Sequence, residues 1–561
     1  MMKKASSGKK NASKKKASTE KPFPWWRETS IYQVYPRSFF DSNGDGIGDI
    51  PGIIAKLDYI RDLGFDTIWI SPPYKSPQRD FGYDIADYRS MAPEYGTLDD
   101  ALRLIKEVHR RGMRIVFDMI LNHTSDEHPW FVESRSSRDN PRRDWYIWRD
   151  GRGNRPPNNW KAMVGGSGWV YHEKTGQWYF HNYLPFQPDL NFRNPAVKKA
   201  MWDIMRFWLD RGVDGFRLDI FHAIFKDDRF RDNPFCPKYL PGGDTVDAYF
   251  QEMRYTVNRP ESFALAVEVR SLLDGYKPAR FAVGEVFGKE VVKNYLGKKL
   301  DGLNLLLNFD LMEVKTVTAG ALRGIVDDFE ERYPAPMVPT CGMGNHDRRR
   351  VMSRLGGDAG LAKLLALFQY TIRCVPITYN GDEIGMSDGD LPHRGAKDSQ
   401  AHAYWWVPPR LARLLGLYIN RDGCRTPMQW DDSPHAGFTA GRETWLPVHP
   451  DYKTVNVKAQ TEGEFSLFNI HRGLLRLRKK LAPLRRGSIS IIESSPRDDS
   501  ILAYAREHEG ERVLVIMNVS KKEKQVALPL PSARILLKTD REISLEGNMI
   551  ALPPDSGAVL A

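Results

Sequence analysis

Gly215-Phe216-Arg217-Leu218-Asp219 follows a helical pattern over residues 196–211 and closes on a carboxylate. Along an extended strand Arg217 and Asp219, two residues apart, point the same way. Short β-rich runs of this kind recur at 31–35, 67–70, 114–120, 281–285, 303–309, 339–341 and 375–379. Amphipathic stretches lie between them, at 98–111, 196–211 and 361–373. Eight strands, most followed by a helix, predict an α/β protein whose parallel sheet closes into a (β/α)8 TIM barrel.

In such a barrel the C-terminal ends of all strands meet on one face. The third strand ends in Asp118-Met-Ile-Leu-Asn122-His123, and the fifth in Gly284-Glu285. The seventh runs into Gly344-Asn345-His346-Asp347. Singly, an acid closing a strand is as readily a helix cap or a structural ion-pair partner. Four such ends in this order point to chemistry. Retaining cleavage of a glycosidic bond needs one carboxylate as nucleophile and one carboxylic acid to protonate the leaving oxygen. A third carboxylate can stabilise the positive charge developing on the sugar or hold its hydroxyls. The cation of Arg217 favours the ionised form of Asp219, and the apolar Phe281-Ala-Val run ahead of Glu285 suits an acid that stays protonated. His123 and His346 can donate hydrogen bonds to sugar hydroxyls; buried alone, they would be ordinary core histidines. Neither a phosphate-binding Gly-x-x-x-x-Gly-Lys-Ser/Thr loop nor a His-Glu-x-x-His zinc motif is present.

The alternation breaks twice. Residues 122–188, rich in Trp, Asn, Gly, Pro and Arg, read as a B domain inserted after strand three. From 486 onward helical patterns give way to short strands separated by charged turns, predicting an antiparallel β domain. The expected division is a disordered tail at 1–21, barrel at 22–121, insertion at 122–188, barrel at 189–485 and the C-terminal β domain at 486–561.

A chain of 561 residues, 41% apolar, can bury a large core without disulfides or metals holding it. The most apolar window, 361–379, is interrupted by Lys363, Gln369 and Arg373, so no membrane span is expected. The net charge is +11, but the first 21 residues hold eight lysines against Glu20. The other 540 residues therefore carry only +4, which gives no basic surface for nucleic acid. The tail reads as a solvated segment without the apolar centre of a signal peptide. Four scattered cysteines form no C-x-x-C pair, and a reducing cytoplasm is expected. Oligomeric state is not legible.

The four strand ends resemble the signature regions of the α-amylase family, glycoside hydrolase family 13, and the resemblance spans essentially the whole chain after the tail. It implies Asp219 as nucleophile, Glu285 as general acid/base and Asp347 as transition-state stabiliser. It also implies that Asp84 (in Gly82-Tyr83-Asp84), His123, Arg217 and His346 hold the terminal glucose. Gln187-Pro-Asp-Leu-Asn191 is similar to a fifth region as found in oligo-1,6-glucosidases and their α-glucosidase relatives. Arg425-Thr-Pro-Met-Gln-Trp-Asp431 resembles a loop of that subgroup whose arginine reaches the substrate, although Arg425 also suits an ordinary ion pair. The activity implied is that of a retaining, exo-acting α-glucosidase on short oligosaccharides or disaccharides, with no catalytic cofactor. Rivals are a transglucosylase or isomerase of the same family, such as a sucrose isomerase or trehalose synthase. A further rival is the inert transporter-associated homologue, against which the intact acids speak.

Asp41-Ser-Asn43-Gly-Asp45-Gly-Ile47-Gly-Asp49 sets oxygen-bearing side chains at alternate positions with glycines between, which suits a hard cation. The spacing begins like an EF-hand loop, but Gly52 stands where the bidentate glutamate would be. The loop resembles a metal-binding one in related glucosidases, with a backbone carbonyl at Ile47. A structural Ca²⁺ or Mg²⁺ on Asp41, Asn43, Asp45, Ile47 and Asp49 is the expectation; a plain Asx-rich turn is the alternative.

Overall fold

Eight parallel strands form the central sheet: β1 (Ile31–Val34), β2 (Thr67–Ile70), β3 (Arg114–Ile120), β4 (Gly215–Asp219), β5 (Phe281–Gly284), β6 (Leu305–Leu306), β7 (Thr340–Gly342) and β8 (Val375–Tyr379). Their hydrogen-bonded order is β6-β5-β4-β3-β2-β1-β8-β7. Between β6 and β7 a side chain completes the ring: the Thr340 hydroxyl donates to the Leu306 carbonyl (2.8 Å) and accepts from the Asn308 N–H (2.9 Å). This is the expected barrel. The computed structural model describes residues 23–239, 246–402, 404–408, 411–412, 417–494, 498–529 and 533–561; the lysine-rich segment 1–21 lies outside them.

The inward-facing positions explain where the site forms. Towards the N-terminal ends they are apolar: Ile31, Trp69, Val116, Phe281, Val283 and Leu305 pack in one cluster inside the ring. Each such buried side chain contributes ~1.5–3 kcal/mol. Two residues further along the same faces the chain turns polar, with Gln33 after Ile31, Asp118 after Val116 and Glu285 after Val283. Register then sets neighbours. Asp118 stands beside Arg217 and Ile120 beside Asp219 across β3 and β4, while Leu218 pairs with Gly284. Gly215 is needed at the start of β4, because a side chain there would run into the Phe281 carbonyl.

Helices cover the outside by ordinary amphipathic logic. In Leu98–Arg110, Ala101, Leu104, Ile105 and Val108 are buried, and Thr97 and Asp100 form a capping box at the start. The segment expected as an insertion carries a helix (Pro129–Ser134) and a three-stranded antiparallel sheet of Trp148–Arg149, Gln177–Phe180 and Trp169–His172. Its core is aromatic (Trp160, Trp169 and Phe180), hence the missing periodicity. At the C-terminus a five-stranded antiparallel sheet and a three-stranded one enclose a small core of their own. Among the described residues, no helix is long and apolar enough to cross a membrane.

Candidate active site

At the C-terminal end of β4 one guanidinium holds three carboxylates. Arg217 Nη1 donates to Asp118 Oδ1 (2.8 Å) and Asp219 Oδ1 (2.6 Å), and Nη2 donates to Glu285 Oε2 (2.6 Å). All four side chains are nearly or fully buried. Only the planar, permanently charged fork of arginine could serve three anions from one position. Burial pushes the Asp219 carboxyl well above its usual range. Arg217 pulls it down, as expected, but the charges of Glu285, Asp118 and Asp347 add to the rise. Asp118 is pushed up to about 6, again by burial and against Arg217.

A second network lies across the mouth of the barrel. Tyr83 stacks on His346 with ring centroids 5.3 Å apart. His346 Nε2 lies 2.7 Å from the Tyr83 hydroxyl, which donates to Asp118 Oδ2 (3.0 Å), and Gln33 Nε2 donates to His346 Nδ1 (2.8 Å). These contacts assign the Nε2–H tautomer to a neutral imidazole. Burial agrees, pushing the His346 pKa down to about 3. Asp347 accepts from Arg421 Nη1 (2.9 Å) and Arg425 Nη2 (2.8 Å). Burial acts to raise its carboxyl, but His346, Arg421 and Arg425 outweigh burial and hold it below the usual carboxylate range. Because His346 is neutral at pH 7, the arginines do this near neutrality.

The structure thus gathers Asp219, Glu285, Asp347, Arg217 and His346 on one face. His123 stands nearby, its Nε2 3.1 Å from the Tyr83 carbonyl, with burial lowering its pKa to about 3. Arg425 is fully buried behind Asp347, where Nε also donates to the His346 carbonyl and Nη1 has no hydrogen-bond partner among the described residues. Asp84 departs from expectation. It is buried, and its carboxylate turns into its own loop, accepting from the Ser76 hydroxyl (2.8 Å) and the Asp80 and Arg79 N–H groups (3.0 and 3.1 Å). Asp80, four residues earlier, faces the network: it accepts from Arg421 Nη2 (2.9 Å) and Gln187 Nε2 (2.9 Å). The positive φ of Phe81 and Gly82 turns the chain between the two acids. Asp80 and Arg421 escaped the sequence reading because each lies four residues from a like residue in an aperiodic loop.

Buried Lys226 ties the insertion to the barrel. Its ammonium pairs with Asp189 and donates to Asn122 Oδ1 (2.9 Å), and Asn122 in turn contacts the His123 ring (3.2 Å). In the 41–49 loop the carboxylates are engaged internally. Asp41 accepts from the N–H groups of Asn43, Gly44 and Gly46, and Asp49 from those of Ser42 and Gly52. Asn43 and Asp45 each bond the N–H two residues on. Among the described residues, no group of three or more His, Cys, Asp or Glu side chains stands ready to hold a metal. The donor types suit a hard cation, but the geometry shown is that of an Asx-turn loop.

Asp219 and Glu285 on the Arg217 guanidinium, with Asp347 held ionised beside His346, equip this face to cleave an acetal by paired acid and nucleophile. Fold and site together define a glycoside hydrolase. The chain belongs to the α-amylase family: the profile of the alpha-amylase catalytic domain matches residues 33–487, and that of the alpha-amylase SusG C-terminal domain residues 501–559. It is 40% identical to an oligo-1,6-glucosidase of Parageobacillus thermoglucosidasius, over 90% of this chain and 92% of that one. Among solved structures it resembles an alpha-glucosyl transfer enzyme (TM-score 0.86, 38% identity, 96% and 99% of the two chains). It also resembles the isomaltulose synthase of Klebsiella sp. LX3 (TM-score 0.85, 32% identity, 96% and 100%).

Proposed function

We propose that the protein is a retaining, exo-acting α-glucosidase that releases glucose from short α-glucosides and favours α-1,6 over α-1,4 linkages. One observation carries the reading: Arg217 holds Asp219 and Glu285 on its two Nη atoms. Carboxylates sharing one guanidinium suit the ~5–5.5 Å spacing of a nucleophile and acid/base pair. Asp219 attacks the anomeric carbon while Glu285 protonates the leaving oxygen. Water then breaks the glucosyl ester, with Glu285 as base. Asp347, ionised between Arg421 and Arg425, stabilises the oxocarbenium-like transition state. Asp80, Arg421, His123, Arg217 and His346 hold the terminal sugar. Glucosidase relatives support the hydrolytic reading.

The transfer enzyme and the synthase among structural neighbours favour a second reading, in which a sugar rather than water takes the glucosyl group. Product analysis with sucrose and maltose separates the two: free glucose supports hydrolysis, whereas isomerised or elongated sugars support transfer. Linkage preference rests on Ile220, next to Asp219. Among the resembling enzymes, valine there accompanies α-1,6 activity and threonine or alanine α-1,4. Isoleucine departs from both, but it shares valine's branched apolar β-carbon and adds a methylene. Methylene-scale pocket changes are worth about 1–3 kcal/mol. Isomaltose is therefore expected to have the higher kcat/KM, and Ile220→Thr to shift the ratio towards maltose. A wild type preferring maltose by about tenfold, ~1.4 kcal/mol, would overturn the linkage assignment alone.

A divalent ion on the 41–49 loop remains a proposal. Such an ion would bind the folded state and stabilise it by mass action. Exhaustive EDTA treatment is expected to lower Tm and leave kcat nearly unchanged; an unchanged Tm with no metal by elemental analysis rejects the site. The described cysteines are all free thiols, which supports the proposal of a reducing, cytoplasmic setting.

A further inference from the structure

Ile220 has φ 37° and ψ 43°. A β-branched residue in the left-handed region is a genuine outlier, and glycine would make this turn at least cost. The turn is required, since β4 ends at Asp219 and a 3-10 turn begins at Phe221. Two contacts sustain the strained conformation. The side chain is 4% exposed and packs with Ala223, Met253 and Val257, against Tyr183 and Tyr249. The backbone N–H donates to Oε2 of Glu285 at 3.1 Å. Phe221 N–H follows onto the Glu285 main-chain carbonyl at 2.9 Å. Arg217 Nη2 takes the same Oε2 at 2.6 Å, so two donors pin one oxygen of the carboxyl group.

We infer that Ile220 is a positioning residue for Glu285: its left-handed backbone aims an N–H at Oε2 and leaves Oε1 as the oxygen that carries the catalytic proton. The inference rests on Glu285 being the acid/base. In the first step Oε1–H gives its proton to the glycosidic oxygen as the C1–O bond breaks and the bond from Asp219 to C1 forms. In the second, Oε1 takes a proton from water as water bonds C1 and the ester to Asp219 breaks. The strain is held by burial of the side chain. Alanine removes that anchor and keeps the left-handed penalty, whereas glycine removes the anchor and the penalty together.

The test compares I220A, I220G and I220V on isomaltose and on α-glucosyl fluoride, whose leaving group needs no proton, with maltose as the control for linkage preference. I220A is expected to lose at least about 30-fold in kcat/KM on isomaltose and on maltose alike, and less than about threefold on the fluoride; a fall on isomaltose that spares maltose is a linkage effect and overturns the inference. I220G should fall clearly less than I220A on isomaltose, and I220V should keep the wild-type ratio between isomaltose and the fluoride. A role in filling space alone predicts the reverse order, glycine below alanine. That order, an equal fall on isomaltose and the fluoride, or failure of both truncated variants to fold overturns the inference. A folded, active I220G beside an unfolded I220A supports it. E285Q on the same pair separates the premise. If E285Q does not discriminate the substrates, the acid/base assignment fails; if it does and I220A does not, only the positioning role fails.

Discussion

Asp219→Asn is expected to lower kcat by at least about 10⁴-fold, some 5.5 kcal/mol of transition-state stabilisation, without unfolding the protein. The amide cannot form the glucosyl ester, so the covalent route is lost rather than slowed. Its oxygen still accepts from Arg217 Nη1, which binds the carboxylate at 2.6 Å, and the apolar layer inside the ring lies further down the strands. Steady-state rates with far- and near-UV circular dichroism check both halves. A variant retaining more than about a tenth of wild-type kcat, ~1.4 kcal/mol, would contradict the role given to Asp219.

Arg217→Met is expected to damage both stability and rate. It strands Asp118, Asp219 and Glu285, three carboxylates now gathered on one guanidinium. Leaving buried charge uncompensated costs about 3–5 kcal/mol. The pH dependence has a definite sign. Asp118 and Asp219 already have folded pKa values above the ordinary one, through burial. A carboxyl raised in this way favours the folded state at low pH, and that contribution is lost as pH rises through the folded value. Without Arg217 both values rise further. The Tm deficit of Arg217→Met should thus be small near pH 4 and grow through pH 6 to 8. The acid limb of kcat/KM should move to higher pH, because more of the nucleophile is protonated. Thermal melts and rate profiles across that range test this; a deficit independent of pH would mean that lost packing, not lost charge, explains the variant.

Why some of this was legible and some was not follows from the kind of element each residue occupies. β2, β3, β4 and β8 begin and end at the residues read from the sequence; β2 and β8 do so because a buried parallel strand shows as a nearly continuous stretch of β-branched and aromatic residues. Asp118, Asp219 and Glu285 were visible for the same reason: on a strand, direction follows from counting by two. Nothing comparable operates in loops. Asp80 and Asp84 bracket one tight turn, and only tertiary contacts decide which faces Arg421 and which faces Ser76. Arg421 and Arg425 pose the same problem in the long irregular stretch after β8, where the exposed-looking arginine turns out to be buried behind Asp347. Ile220 shows the limit most clearly. As a residue type it argues against a left-handed turn, and the conformation is held by a cluster drawn from Met253, Val257 and Tyr183.

The central claim is that a glucosyl group passes through a covalent bond to Asp219, and trapping that bond tests it most directly. The enzyme would be incubated with a 5-fluoro α-glucosyl fluoride, which slows breakdown of the ester more than its formation, then digested and mapped by mass spectrometry. The account predicts one added 5-fluoroglucosyl unit, located on Asp219 in the peptide that carries this residue. A label on another residue, or turnover with no label and release of β-glucose from an α-glucoside, would contradict it.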